Sequence, residues 1–72
     1  MVEIGMKAKF VPSFMESEHL HGAERRAAMV NARVASVNPL HRNFICEWVE
    51  GGVSFRECFL FSEIDKKVFV CG

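Results

Sequence analysis

The residues of this chain that could bind a metal ion are two histidines close together and three cysteines far apart. His19 and His21 are separated by one residue, whereas Cys46, Cys58 and Cys71 stand twelve and thirteen residues apart. Structural zinc sites usually take their ligands from close pairs such as Cys-x-x-Cys. Because the chain contains no such pair, we expect solvated loop histidines and free thiols that are buried or carried on strands.

Catalytic and cofactor-binding patterns are absent from the sequence. A cysteine–histidine nucleophile needs an orienting third group and a pocket, which a domain of 72 residues seldom supplies. The chain has neither a GxxxxGK[ST] nor a GxGxxG segment with which to hold phosphates. We therefore expect a non-enzymatic domain with no cofactor and no metal.

Aromatic side chains are the remaining candidates for a site, and residues 44–61, FICEWVEGGVSFRECFLF, carry most of them. Trp48 and its neighbours could form a cage that recognises methylated lysine or arginine by cation–π attraction. Two considerations favour a core position instead: the chain has no tyrosine, and so small a core needs Phe44 and Trp48 inside.

A surplus of aromatics near the end of this segment predicts a protein contact. Phe59, Leu60 and Phe61 are consecutive, and one small core cannot easily bury all three, so an exposed apolar patch is expected. The alternative is that Phe61 starts a turn and folds back inward. The predicted partner-binding residues are Trp48, Phe55, Arg56, Phe59 and Phe61.

The length and charge of the chain limit the other possible partners. Its 72 residues predict one domain spanning residues 1–72, and nine basic residues balance nine acidic ones. Binding to nucleic-acid phosphates or to an anionic membrane surface requires a clustered positive excess, so we expect neither nucleic acid nor a membrane as the partner. No apolar run reaches the ~20 residues of a membrane span, and the N-terminus lacks a signal-peptide pattern, so we expect a cytoplasmic protein.

A nucleic-acid-binding barrel is the alternative in a different functional class. It would use exposed phenylalanines for stacking on bases. Acidic residues at positions 16, 18 and 24 lower the local positive charge of the segment in which they lie. The basic residues that such a surface would use are Lys7, Lys9, Arg25, Arg26, Arg33 and Arg42.

Alternation of apolar and polar residues predicts five short strands. Gly51-Gly52 predicts a tight hairpin, because glycine supplies the positive φ of primed turns. Residues 23–35 could form a helix by propensity, but the alternation at Ala32 and Val34 and the break at Asn38-Pro39 favour a strand over residues 28–37. The strands are expected within residues 6–12, 28–37, 44–49, 53–60 and 67–71, with a loop over 13–26 and a 3₁₀ turn within 61–65.

This order predicts an all-β fold, a small, strongly bent, five-stranded SH3-like or Tudor-like barrel with a 3₁₀ turn before the last strand. A five-stranded OB barrel is the second possibility, but it normally has more residues and a helix between its third and fourth strands.

Residues 33–57, RVASVNPLHRNFICEWVEGGVSFRE, resemble the small N-terminal domain of the microtubule-depolymerising kinesins whose motor lies in the middle of the chain. The matching positions are Ile4-Gly5, Lys7, Lys9, Ala32, Val34, Val37-Asn38, Glu47-Trp48, Glu50-Gly51-Gly52 and Glu57. Two features depart from that family: a longer loop at residues 12–22 and a more aromatic strand after the hairpin.

The resemblance implies a non-catalytic targeting module of a larger motor. The parent protein would hydrolyse ATP and remove tubulin from microtubule ends at spindle poles, centromeres or cytoplasmic arrays during mitosis. This domain would bind a protein partner associated with the cytoskeleton, centromere or centrosome.

Overall fold

The computed structural model describes residues 1–15 and 20–72 and contains five strands. They are β1 (Lys7–Phe10), β2 (Val30–Asn38), β3 (Asn43–Glu50), β4 (Val53–Leu60) and β5 (Val68–Cys71). All neighbouring strands are antiparallel, in the order β4-β3-β2-β1-β5. The predicted all-β fold with five strands is confirmed.

The sheet curls so that its distant strands meet across one core, as in SH3-like barrels. Phe10 of β1 contacts Phe59 of β4 with ring centroids 4.7 Å apart, although the two strands are not paired. A two-residue turn joins β3 to β4, where an OB barrel would carry a helix. A 3₁₀ turn at Phe61–Glu63 precedes β5, as the sequence predicts.

The core is formed by inward-facing positions that alternate along the strands. On β3 the buried residues are Phe44, Cys46 and Trp48, and on β1 they are Ala8 and Phe10. This spacing follows from the two-residue period of a strand. Burial of each large apolar side chain contributes about 1.5–3 kcal/mol, and no charged or polar side chain is buried in the part of the chain that the structure describes.

A β-bulge in β2 changes which residues face the core. Val34 pairs with Cys46, but Ser36 pairs with Ile45, so Ala35 is an extra residue with no partner. The inward positions therefore change from even to odd numbers, and Val37 rather than Ser36 packs against the core. Bulges bend the strand that carries them, and this bend adds to the curvature of the sheet.

The glycine doublet forms the predicted hairpin turn. Gly51 and Gly52 have φ values of +60° and +77°, and a type I′ turn requires positive φ at both central residues. The turn pairs Glu50 with Val53 and determines the register of the whole β3–β4 ladder.

Part of the predicted loop between β1 and β2 is helical and the strand after it begins later than predicted, which corrects the prediction. A short helix, α1, covers Gly22–Ala27, and β2 begins at Val30 rather than at residue 28. The reason is the register: Val30 pairs with Phe10, the last residue of β1, so residues before Val30 have no strand to pair with. They follow the helical propensity of Ala, Glu and Arg instead.

Candidate partner-binding surface

Seven aromatic rings form one continuous chain of contacts through the barrel. Cross-strand pairing creates its central links, because Trp48 lies opposite Phe55 and Phe44 lies opposite Phe59 on the inner face. Consecutive ring centroids are 4.7–6.0 Å apart. In order of contact the rings are Phe14, Phe55, Trp48, Phe10, Phe59, Phe44 and Phe61.

Two of the five predicted partner-binding residues, Trp48 and Phe59, are buried in the core, and a third, Phe61, is partly buried against it. Trp48 and Phe59 are only 5% and 4% exposed, so the prediction that Phe59 is a surface residue is wrong. Phe61 begins the 3₁₀ turn and packs on Phe44 at 6.0 Å, which confirms the inward alternative. Of the three consecutive residues only Leu60 is exposed. The cause is that a small barrel needs most of its large apolar side chains inside.

The other two predicted residues lie on opposite faces of β4. Phe55 is half-buried on the inner face, where it stacks on Trp48 at 5.4 Å. Arg56 is exposed on the outer face, and its Nε donates to Glu47 Oε2 at 2.7 Å. The five predicted residues therefore do not form a single surface.

Phe14 is a surface aromatic that the sequence did not reveal. It lies in a short 3₁₀ turn, Ser13–Met15, and is 64% exposed. Its ring contacts Phe55 at 5.8 Å with an interplanar angle of 32°. The only signal in the sequence is an isolated phenylalanine within a predicted polar loop.

Contacts of the residues just before Phe14 hold its loop against the barrel, and a hydrogen bond within the 3₁₀ turn closes the segment that carries the ring. The preceding residues Val11 and Pro12 are buried. The Ser13 amide donates to Glu57 Oε1 at 2.9 Å, and the Met15 amide donates to the Pro12 carbonyl oxygen at 2.9 Å. Phe14 is thus presented to solvent from an anchored segment.

Exposed apolar neighbours extend the surface around Phe14. Met15 follows it in the chain, and Val53 lies two residues before Phe55 on the same face of β4; both are exposed. The β1–β2 loop and the β3–β4 turn lie at the same end of an antiparallel meander. We call Phe14, Met15, Val53 and Phe55 the loop-end surface.

The ring geometry leaves no space for a methylammonium group between neighbouring rings. Carbon atoms in contact lie about 3.5–4.0 Å apart, so a group held between two ring faces needs a separation of roughly twice that distance. Phe55 is 5.4 Å from Trp48 on one side and 5.8 Å from Phe14 on the other. The outward side of Phe14 is the accessible aromatic surface of this stack.

The cysteines occupy three different environments. Cys46 is buried in the core, and burial, with further contributions from Glu57 and Cys58, raises the pKa of its thiol to about 12. Cys58 and Cys71 are exposed, and all three are free thiols. A thiol that stays protonated in the core acts as a small apolar side chain rather than as a nucleophile.

The histidines and acidic residues do not assemble a metal site within the described ranges. No group of three or more His, Cys, Asp or Glu side chains there could hold an ion. His21 immediately precedes α1 and His41 lies in the β2–β3 turn, whereas His19 is outside the described residues.

The candidate basic residues for nucleic acid are divided among separate parts of the barrel. Lys7 and Lys9 are exposed on β1 and Arg33 is exposed on β2, with Lys7 and Arg33 directly paired. Arg25 and Arg26 lie on α1, and Arg42 lies in the turn between β2 and β3.

Comparison with family models, with curated proteins and with solved structures gave no match to this chain. Among residues 1–15 and 20–72, no helix is long and apolar enough to cross a membrane.

Proposed function

We propose that this domain is a non-catalytic protein-interaction module that contacts its partner through the loop-end surface. The observation that carries the proposal is Phe14, an aromatic side chain that is 64% exposed while its backbone is anchored to β4. Transfer of an exposed phenylalanine side chain from water to an apolar environment is favourable, so burial of this surface against a partner stabilises the complex.

Pre-organisation makes the loop-end surface a suitable anchor for binding. Ordering a mobile side chain at an interface costs about 0.5–1.5 kcal/mol. Phe14 already rests on Phe55, which stacks on the core residue Trp48, so much of this cost is met in the free domain. Aromatic residues are enriched at the centres of protein interfaces, and exposed Met15 and Val53 supply apolar surroundings.

The partner surface can be tested with one variant and a matched control. Phe14→Ser removes the exposed ring, and Leu40→Ser removes an apolar side chain that is 86% exposed in the β2–β3 turn, at the opposite end of the barrel. Both variants are expected to keep the wild-type NMR dispersion. A partner captured by wild type and by Leu40→Ser, but lost with Phe14→Ser, supports the proposal; a partner retained by all three excludes this surface.

If the domain were a methyl-lysine or methyl-arginine reader, the methylated peptide would bind at the same end of the barrel. A titration distinguishes this function from an apolar protein contact. Trimethyl-lysine and dimethyl-arginine peptides are added to the isotopically labelled domain. The close contact of Phe14, Phe55 and Trp48 predicts no change in the Trp48 indole resonance. A saturable shift of that resonance would instead assign a methyl-reader function and would overturn the proposal of an apolar protein contact.

The resemblance of residues 33–57 to the N-terminal domain of microtubule-depolymerising kinesins is the basis for proposing a cellular context. In that context the module targets an ATP-hydrolysing motor to the cytoskeleton or spindle through a cytoskeletal, centromere or centrosome protein. An antibody raised against this domain tests the idea on an immunoblot. A polypeptide of motor-protein size is expected, and a band no larger than 72 residues contradicts it.

A further inference from the structure

A row of charged side chains crosses the outer face of four adjacent strands. Lys7 pairs with Arg33, Arg33 pairs with Glu47, and Glu47 pairs with Arg56. Directly opposite residues in antiparallel strands place their side chains on the same side of the sheet. Lys9 adds a further cation on this face, two residues along β1 from Lys7.

The single carboxylate in this row, that of Glu47, already forms an ion pair. Glu47 accepts the 2.7 Å bond from Arg56, on the side away from Arg33. Arg33 donates through Nη1 to the Gly5 carbonyl oxygen at 3.0 Å, which orients the guanidinium without neutralising it. Neither Lys7 nor Lys9 forms an ion pair with any residue in 1–15 or 20–72. Three cations without an ion pair to any residue in 1–15 or 20–72 therefore lie together on a chain whose net charge is zero.

This arrangement is unfavourable in the free domain. Like charges directly opposite each other on neighbouring strands are destabilising, and Lys7 faces Arg33 in this way. An anionic ligand would remove the repulsion and would gain the attraction of all three cations. We call Lys7, Lys9 and Arg33 the basic face.

A groove with a volume of about 620 Å³ lies along the basic face, and its lining includes Lys7, Arg33, Glu47 and exposed Val49. Small residues such as Ala35 leave the groove shallow and open. A second hollow of about 280 Å³, beside Lys9, reaches exposed Phe69 of β5. Apolar side chains thus border the cations on both sides.

We propose that the basic face binds an acidic, partly apolar peptide segment of a partner protein, at a site separate from the loop-end surface. A peptide can place its carboxylates on the three cations and its apolar side chains on Val49 and Phe69, while leaving Glu47 free of contact. Duplex DNA carries one charge per roughly 1.7 Å of its axis, so it would bring phosphates against Glu47. The acidic peptide is therefore the better match.

The test is an NMR titration of the labelled full chain at low ionic strength. The probe is a short synthetic peptide in which glutamate alternates with valine and phenylalanine; the control peptide has glutamine in place of glutamate. The amides of Lys7, Lys9, Arg33 and Val49 are expected to shift with the glutamate peptide alone. Added salt is expected to weaken the binding.

Charge-reversal variants make the test specific to this face. Lys9→Glu is expected to raise the dissociation constant roughly tenfold, whereas Lys66→Glu, which reverses an exposed lysine in the turn before β5, leaves it unchanged. The spectrum of each variant reports whether the barrel remains folded. Phe14→Ser is expected to keep this binding, so failure of one surface does not imply failure of the other.

Three results would overturn the proposal. One is the absence of shifts at the basic face with the glutamate peptide, and another is equal binding of the glutamine peptide. The third is an oligonucleotide of equal charge that binds the same amides more tightly, which would assign the basic face to nucleic acid instead.

Discussion

The Ser13 amide donates a hydrogen bond to Glu57 Oε1 at 2.9 Å, and this bond attaches the long β1–β2 loop to strand β4. The two residues are 44 positions apart in the sequence. Because Phe14 follows Ser13 directly, the bond determines where the exposed ring lies and brings it onto Phe55. Together with the burial of Val11 and Pro12, this side-chain contact to a backbone amide fixes the position of the proposed partner surface.

Removal of the Glu57 carboxylate should loosen this loop. Glu57→Ala is expected to lower the free energy of unfolding by about 1 kcal/mol, the usual contribution of one hydrogen bond. It should also reduce the ring-current shifts between Phe14 and Phe55, which NMR measures directly. Glu50→Ala, at an exposed position beside the hairpin turn, is the control and should change neither quantity. Unchanged ring-current shifts in Glu57→Ala would contradict the anchoring role.

Truncation of Phe59 should lower the free energy of unfolding much more than truncation of Phe14, because Phe59 is in the core and Phe14 is exposed. Phe59→Ala is expected to cost about 3–5 kcal/mol, against a total of about 4–11 kcal/mol for a domain of 72 residues. Phe14→Ala is expected to cost less than about 1 kcal/mol. Urea denaturation followed by Trp48 fluorescence measures both losses. Equal losses would contradict the assignment of Phe59 to the core and Phe14 to the surface.

The buried thiol of Cys46 predicts a loss of stability at alkaline pH. Its pKa is raised from 9.0 to about 12 in the folded state, mainly by burial. The unfolded chain ionises first, so this thiol should not change the free energy of unfolding below pH 9 and should lower it as the pH rises through 12. Denaturation across this range measures the slope. Cys46→Ala should reduce the slope, whereas Cys58→Ser should retain it; equal slopes in the two variants would refute the prediction.

The hairpin turn should tolerate asparagine better than alanine. Gly51 and Gly52 both have positive φ, and nothing lies within 4 Å of a β-carbon built at either position. The cost of substitution is therefore conformational, about 1–2 kcal/mol for Gly51→Ala. Gly51→Asn should cost less, because asparagine adopts positive φ more readily. Thermal unfolding compares the two, and equal melting temperatures would argue against the primed turn.

Most of the fold was predictable because its signals are local. The alternation in FICEWV identifies the inward residues of β3, and Gly51-Gly52 identifies the turn. That turn also determines the register, which places Phe59 opposite Phe44 and hence in the core. The sequence-based prediction of an exposed Phe59 is wrong because the pairing of β3 with β4 decides which residues of β4 face the core.

The features that the sequence did not reveal depend on contacts between distant residues. The bulge at Ala35 shifts the pairing of β2 with β3, and no local pattern in the sequence identifies it. The exposed position of Phe14 depends on Glu57, which the sequence places in a different strand. Residues 22–27 became helical because β1 ends at Phe10 and offers no pairing partner before Val30.

The most direct test of the account introduces a photo-crosslinking phenylalanine analogue at position 14 and, as the control, at position 40. Both positions are exposed, but they lie at opposite ends of the barrel. After irradiation in cells, a discrete protein adduct is expected from position 14 and none from position 40. No adduct from position 14, or the same adduct from both positions, would contradict a partner surface centred on Phe14.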